Sequence, residues 1–191
     1  MSNTKQTGCL VLTPAPVATA PRSRLLDYLR DCGFIGDAFS SGAAEGFLIG
    51  ERFLQLITFM GCSPHIELAP PADGSGFCHV RVRGPLDDPL LLAGRNAQAP
   101  RCVSCRGRIE PWREPLDEWR HQASSPLVTC PRCGEKQRPM ELDWRRQAGC
   151  GRLLIEVVDV FPGEAVPVSS LLKGLEGLGA GPWRYFYYLK D

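Results

Sequence analysis

The stretch FCHVRVRG (77–84) has the pattern of a β-strand in a sheet with one buried and one wet face. Apolar side chains at 78, 80 and 82 alternate with polar side chains at 79, 81 and 83, and successive side chains of a strand point to opposite faces. This alternation is typical of antiparallel sheets. We therefore expect a sheet with a core on one side only.

Further apolar runs on both sides of this stretch predict more strands. The run 47–60 is predicted as two strands joined by a turn at Gly50, although 53–60 also fits a helical stripe. The segment DAFSSGAAEG (37–46) is predicted as a loop from its composition. The other predicted strands are CLVLT (9–13), HIELA (65–69), RLLIEVVDVF (152–161) and PWRYFYYL (182–189).

Two segments carry leucines at helical spacing. RSRLLDYLRDCGF (22–34) and VSSLLKGLEGLG (168–179) each place their leucines on one helical face, although three glycines weaken the second pattern. The order of elements predicts an α+β fold, with a mostly antiparallel sheet and two helices. A strand–helix–strand unit at each end also permits a ferredoxin-like arrangement.

The composition is that of a folded protein without a marked charge. The chain has 191 residues, of which 43% are hydrophobic, and a net charge of +1. A core can therefore be buried, and overall charge favours neither nucleic acid nor acidic lipid. The most apolar stretch, FLQLITFMG (53–61), is shorter than the roughly 20 residues that span a bilayer. We expect no membrane association.

The chain has nine cysteines. Because an odd number cannot all pair, the count argues against a framework built only of disulfides. We find no basic segment followed by an apolar run before Cys9, and so expect no signal peptide. The expected setting is a reducing bacterial cytoplasm, where paired cysteines more often bind metal or act in redox chemistry than form structural disulfides.

Four of the cysteines form two C-x-x-C pairs, Cys102 with Cys105 and Cys130 with Cys133. A tight turn at each pair can direct both sulfurs to one centre, and four thiolates suit tetrahedral Zn²⁺. A rubredoxin-like iron site would use the same sulfurs, and redox-active thiols are a further alternative. The gap of 24 residues between the pairs is slightly longer than the commonest spacing.

The sequence CVSC…CPRCG resembles a zinc ribbon, a small β-module built on two cysteine knuckles, over about residues 100–150. The resemblance implies a structural zinc, because four protein ligands leave no open position for water or substrate. The first knuckle carries Arg106 where glycine is common. We expect an inserted module at 95–150, with 1–94 and 151–191 forming one α+β domain.

The predicted module also carries aromatic and basic residues. Pro115 is placed to open a short helix with Leu116 and Trp119 on one face. Trp112 and Trp119 are interpreted either as residues that pack the module onto the main domain, because a ribbon has almost no core of its own, or as exposed contacts for a partner or for nucleic-acid bases. Residues 95–152 hold twelve Lys and Arg against seven Asp and Glu, a balance of +5. A basic surface of this kind fits a nucleic-acid or acidic-protein contact, or a mixed solvated surface.

The remaining thiols and imidazoles suggest a second, weaker site. Cys62 and His65 form a C-x-x-H pair, and Cys78 and His79 are adjacent. On a strand, Cys78 and His79 would point to opposite faces, so one of them at most could join the first pair. We expect ordinary core or turn residues here. Cys9, Cys32 and Cys150 are interpreted as small core residues, with Cys150 as an alternative spare ligand.

Together these patterns predict a non-enzymatic, zinc-binding adaptor or accessory protein that contacts its partner through the ribbon. We expect a protein partner, with nucleic acid as the alternative. The competing hypothesis is an enzyme, or a thiol- or metal-handling protein, with its site near Cys62 and His65. No catalytic residue, organic cofactor or oligomeric state is assigned by these patterns.

Overall fold

A six-stranded antiparallel sheet organises the main part of the chain. The structure, a computed structural model, describes residues 8–41, 44–60, 66–71, 76–124 and 126–190. The strands of this sheet are β1 (Gly8–Thr13), β2 (Ile35–Ser41), β3 (Ala44–Ile49), β5 (His79–Arg83), β10 (Leu154–Val160) and β12 (Arg184–Leu189). Their order is β12-β1-β10-β5-β3-β2, and every neighbouring pair is antiparallel. The predicted α+β class and antiparallel sheet are confirmed.

Three small two-stranded sheets complete the β-structure of the described residues. β4 (Ile57–Phe59) pairs with β11 (Ala165–Pro167), and β6 (Leu90–Leu92) pairs with β9 (Gly149–Gly151). β7 (Val128–Thr129) and β8 (Lys136–Gln137) form the third pair.

The described residues contain four α-helices, where the sequence predicted two in the main domain and a short one after Pro115. α1 (Arg22–Asp31) and α4 (Ser169–Leu175) are the predicted helices, and a π-helical turn (Glu176–Ala180) follows α4. α2 (Phe53–Leu56) is a single turn, and α3 (Leu116–His121) is the short helix expected after Pro115. None of these helices combines the length and apolar character needed to cross a membrane.

One face of the main sheet packs against α1 and α4. Its alternate apolar side chains are buried, because a strand presents every second residue to the same face. The cluster contains Leu25 and Leu29 of α1 and Leu171 and Leu175 of α4. Its sheet residues include Leu10, Leu12, Val80, Val82, Ile155 and Val157.

The opposite face of the sheet is partly covered as well. Val11, Leu154 and Phe186 are buried there together with Leu92 of β6. His79 also lies on this face and is only 7% exposed, because the rings of Phe39 and Phe77 lie 5.1 and 5.0 Å from its imidazole. The face that was predicted to be wet is therefore partly covered.

Two local predictions are corrected by the structure. The segment 37–46 was predicted as a loop, but β2 and β3 form a hairpin there, with residues 42 and 43 outside the described chain. Small residues such as Gly46 leave room for the ring of Phe39, to which a Cβ at 46 would come within 2.9 Å. Within 53–60, the first four residues form the helical turn α2, as the alternative prediction had it, and only Ile57–Phe59 form the predicted strand, β4. Residues 66–69 form no strand, and 65 is not described.

The connection between β5 and β10 contains both cysteine pairs. It also contains most of a second buried cluster, whose members lie between Leu91 and Cys150. Elements β1, α1, β5, β10, α4 and β12 follow the chain order of a ferredoxin-like unit, with the β2–β3 hairpin added at one edge. The ferredoxin-like topology and the domain division stay predictions.

Candidate metal centre

The first knuckle is a tight turn closed by two backbone hydrogen bonds. The N–H of Arg106 donates to the carbonyl of Cys102 at 2.9 Å, and the N–H of Cys102 donates to the carbonyl of Gly107 at 2.9 Å. Arg106 adopts the left-handed conformation, with φ of 61°. The arginine therefore occupies the backbone geometry that glycine usually supplies.

The second knuckle repeats this pattern between β7 and β8. The N–H of Gly134 donates to the carbonyl of Cys130 at 2.9 Å, and the N–H of Cys130 donates to Glu135 at 2.8 Å. Gly134 has φ of 75°. Arg106 and Gly134 thus hold equivalent positions, and the unusual residue in the first knuckle leaves the turn intact.

The two turns bring the four predicted sulfurs together. The Sγ atoms of Cys102, Cys105, Cys130 and Cys133 all lie within 4.8 Å of one another. Cys102 and Cys133 are 3.7 Å apart at sulfur, and Cys105 and Cys130 are 3.6 Å apart. A tetrahedral site with Zn–S bonds of about 2.3 Å has an S···S edge of about 3.8 Å, whereas a disulfide needs about 2.05 Å. The spacing fits a metal site and not a disulfide.

Backbone amides favour the thiolate form of two of these cysteines. The N–H of Cys105 is the main cause that lowers the pKa of the Cys102 thiol to about 6. The N–H of Cys133 likewise lowers the pKa of the Cys130 thiol. A hydrogen bond to the charged form stabilises it, so these turns prepare sulfur as a ligand.

The fourth sulfur shows the cost of bringing four thiols together. The N–H of Glu135 lowers the pKa of the Cys133 thiol, but contacts with the other three sulfurs outweigh it and raise that pKa to about 12. Without a cation the four thiols therefore resist complete deprotonation as a group. A divalent cation would displace the protons that remain and neutralise the repulsion between thiolates.

Gln137 supports the first knuckle from β8. Its Nε2 donates to Cys102 Sγ at 3.0 Å, and its Oε1 accepts from the N–H of Val103 at 3.2 Å. The side chain is 5% exposed. Groups that orient a ligand in this way tune metal affinity. The sequence analysis missed Gln137, and the only available signal was its place in the strand after the second knuckle.

The geometry also bears on what the cluster can do. Four cysteines close a tetrahedral site, so no position is left for a reacting water or substrate. Neither C-x-x-C pair opens an α-helix in the described chain, so the helix N-terminus that commonly lowers the pKa of a redox thiol is absent there. The arrangement suits a metal that holds structure, and zinc and iron share this ligand set.

The other candidate residues do not join this cluster. Cys62 and His65 lie outside the described residues. Cys78 is buried in the sheet core, where burial raises its pKa to about 12, so it is a poor nucleophile. Cys150 packs in the second buried cluster, and burial raises its pKa to about 12 as well.

Cys9 and Cys32, by contrast, are only partly buried. They pack against the apolar residues on the two faces of the main sheet, Cys9 on the face of Phe186 and Cys32 on the face of α1. Both therefore contribute to packing, as the sequence analysis expected.

The tryptophans of the module are core residues. Trp112 and Trp119 are 5% and 3% exposed, and their rings lie 6.0 and 6.4 Å from that of Trp144 in edge-to-face contacts. Both are buried, so the exposed-contact interpretation is wrong, but they belong to a cluster separate from that of the main sheet, which corrects the expectation that they pack the module onto the main domain. They pack within the cysteine-bearing segment, which therefore has a core of its own.

Comparisons with protein-family models, with curated proteins and with solved structures find no match to this chain. The resemblance to a zinc ribbon thus rests on the four cysteines, their spacing and their geometry.

Proposed function

We propose that this chain is a non-enzymatic accessory protein in which a structural zinc ion, held by the four cysteines, maintains a partner-binding module. The observation that carries the proposal is the four-sulfur cluster, whose shortest separations of 3.6 and 3.7 Å fit a tetrahedral edge. The site is closed, and so the metal supports structure rather than chemistry.

Elemental analysis of protein made without metal supplementation tests whether the four cysteines bind zinc. We expect about one zinc per chain, because Cys₄ sites bind zinc tightly. Cys130→Ser should lose the metal, and Cys150→Ala, which changes a buried cysteine outside the cluster, should retain it. One iron per chain, with visible thiolate-to-iron absorption, would show that the site holds iron and not zinc. No metal at all in reduced protein would refute the site.

Exposed apolar side chains beside the knuckles support a protein partner. Val103 lies between the first two ligands and is 50% exposed, and Leu127, just before β7, is 59% exposed. Cys133 itself is exposed, so the knuckles are at the surface. The buried tryptophans offer no aromatic anchor, so Val103 and Leu127 are the apolar side chains beside the knuckles that a protein partner would cover. The basic excess of 95–152 supports the nucleic-acid alternative.

A paired substitution tests where the partner binds. Leu127→Ser should weaken recovery of the partner in a pull-down, whereas Leu54→Ser, on α2, should not. Leu54 is the matched control because its exposure, 57%, is close to that of Leu127. Treatment with nuclease should leave a protein complex intact. Equal recovery with both variants would contradict contact through the module, and loss on nuclease treatment would transfer the proposal to nucleic acid.

A further inference from the structure

A cleft lies where the cysteine-bearing segment meets β12. Its volume is about 660 Å³, within the range of pockets that hold small molecules. Trp144 and Ala148 line it from the inserted segment, and Trp183 and Tyr185 line it from the C-terminal strand region. Leu172 of α4 also contributes to the wall.

Four arginines line this cleft, and one of them is neutralised. Arg106 pairs with Asp143 at 2.8 Å. Arg145, Arg146 and Arg184 also line the cleft, and none of the three takes part in an ion pair among the described residues. Glu141, which pairs with Arg138 at 3.3 Å, also lines the cleft. The cleft therefore carries more positive than negative side chains.

These three guanidinium groups are held by neutral partners. Arg145 donates to Gln98 Oε1 at 2.8 Å, and Arg146 donates to Tyr185 Oη at 2.7 Å. Arg184 donates a longer hydrogen bond, of 3.4 Å, to the carbonyl of Cys150. The guanidinium of Arg146 also lies 4.4 Å from the centre of the Tyr185 ring. The groups are thus positioned while their charge is retained.

The backbone under these arginines is strained. Four non-glycine residues of the described chain have positive φ, and three of them are cleft arginines: Arg106 at 61°, Arg145 at 50° and Arg146 at 63°. Glycine would adopt this conformation without steric cost. At Arg106 this conformation belongs to the knuckle turn, but Arg145 and Arg146 lie outside the turn, and strained residues of this kind concentrate at functional sites.

An unsatisfied donor borders the same space. Trp183 is 5% exposed, and its Nε1–H has no acceptor among the described residues. The other tryptophan of the cleft, Trp144, donates its Nε1–H to the carbonyl of Pro139 at 2.9 Å. A buried donor without a partner is costly, but this atom is inaccessible to solvent, so it does not mark a contact with a ligand.

We propose that this cleft binds a small ligand that carries a phosphate group. A phosphate dianion suits arginines that have no ion-pair partner better than a single carboxylate does, and arginine fits the geometry of phosphate oxygens. The aromatic side chains of the cleft fit an apolar or planar part of the same ligand. This proposal goes beyond the partner contact at the knuckles and does not depend on it.

Titration calorimetry of the full-length, metal-loaded protein with AMP and with inorganic phosphate tests the proposal at constant ionic strength. Arg145→Gly should weaken AMP binding about tenfold or more, since a charge-assisted hydrogen bond is lost. The same variant should melt at a higher temperature than wild type without ligand, because glycine relieves the positive φ. Arg24→Ala, on the exposed side of α1, should change neither property.

Weaker AMP binding together with a higher melting temperature in Arg145→Gly separates a binding role of this arginine from a structural one. A rise in melting temperature together with unchanged AMP affinity would overturn the proposal. So would the absence of binding by both AMP and phosphate. Binding of a single-stranded oligonucleotide alone, lost in Arg145→Gly, would also overturn it in favour of a nucleic-acid surface. Equal binding of AMP and of citrate would contradict selectivity for phosphate.

Discussion

The imidazole of His79 is the buried titratable group whose state is best defined by its contacts. Nδ1 lies 2.8 Å from the carbonyl of Phe77, and a carbonyl only accepts, so Nδ1 carries the proton. Nε2 is buried without a partner. Burial is the main cause that lowers the pKa of His79, with Arg81 acting in the same direction and Asp159 opposing it. The folded protein therefore holds this residue neutral.

The lowered pKa predicts a dependence of stability on pH. The unfolded chain binds a proton at about pH 6.5, before the folded protein does. The contribution of His79 is thus fully present above about pH 6.5 and is lost as pH falls below it. In urea unfolding between pH 7.5 and 5, His79→Phe should reduce the slope by up to about 1.4 kcal/mol per pH unit.

His121→Phe, which changes an exposed imidazole, is the matched control for this experiment. Comparing variants also removes any effect of pH on the metal, because both retain the four cysteines. Parallel curves for wild type and His79→Phe would contradict a neutral, buried His79.

At the same scale, sequence could identify the sulfur ligands but not their support. Cys102 and its three partners are defined by spacing, which is a local property of the chain. Gln137 is defined by its burial and by which atom it faces, and both depend on how β7 and β8 fold back on the first knuckle. The tolerance of Arg106 at positive φ is equally invisible in a pattern that expects glycine.

Among the elements, α4 shows why a glycine lies inside a helix. The sequence predicted 168–179 as one helix weakened by its glycines, and the structure has α4 followed by a π-helical turn. A Cβ at Gly174 would lie 1.8 Å from Tyr28 Oη of α1. Glycine here is a packing residue that allows the two helices to approach.

A pair of alanine substitutions tests this explanation. Gly177→Ala should stabilise the protein by up to about 1 kcal/mol, because a Cβ there meets nothing within 4 Å and alanine favours helix. Gly174→Ala should instead destabilise it by about 1–3 kcal/mol through overpacking. Thermal unfolding measures both. Adding Tyr28→Ala should remove most of the difference between the two glycines, and equal effects without it would refute the contact.

The elements that sequence predicted well are those whose pattern is long and regular. β5, β10 and β12 follow from alternation and apolar runs, and α1 from its leucines. β2 and the first half of β3 were missed because 37–46 is rich in small and polar residues, and its pairing is imposed by the neighbouring strand, whereas the second half of β3 was predicted as the first strand of 47–60. α2 is a single turn, and its apolar pattern fits a strand equally well.

At the scale of the whole molecule, two buried clusters divide most of the apolar core. One contains the sheet and helices α1 and α4, and the other contains the cysteines with Trp112, Trp119 and Trp144. Since two of the sulfur ligands, Cys102 and Cys130, belong to the second cluster, metal and module core are expected to stabilise one another.

Cys130→Ser should therefore destabilise residues 100–150 and leave the main sheet folded. Hydrogen exchange followed by mass spectrometry should show lost protection within that range and retained protection in β1 and β10. Cys150→Ala is the matched control, because it removes a thiol from the same cluster without touching the metal ligands. Loss of protection throughout the chain would mean that the two clusters fold as one unit.

The cysteine-bearing segment leaves the sheet and returns to it at one pair of facing residues, and this has a consequence for protein engineering. Arg83 and Leu154 are direct partners across β5 and β10, so the chain departs and returns at one point. Antiparallel neighbours can be joined by a two-residue turn such as Asn-Gly. Residues 84–152 could thus be excised or exchanged for a foreign domain whose termini lie about 5 Å apart. Leu153 would be kept because it is buried in the main-sheet cluster, and Val11 and Phe186 would take polar replacements. The sheet would then serve as a scaffold with a single insertion site for foreign domains.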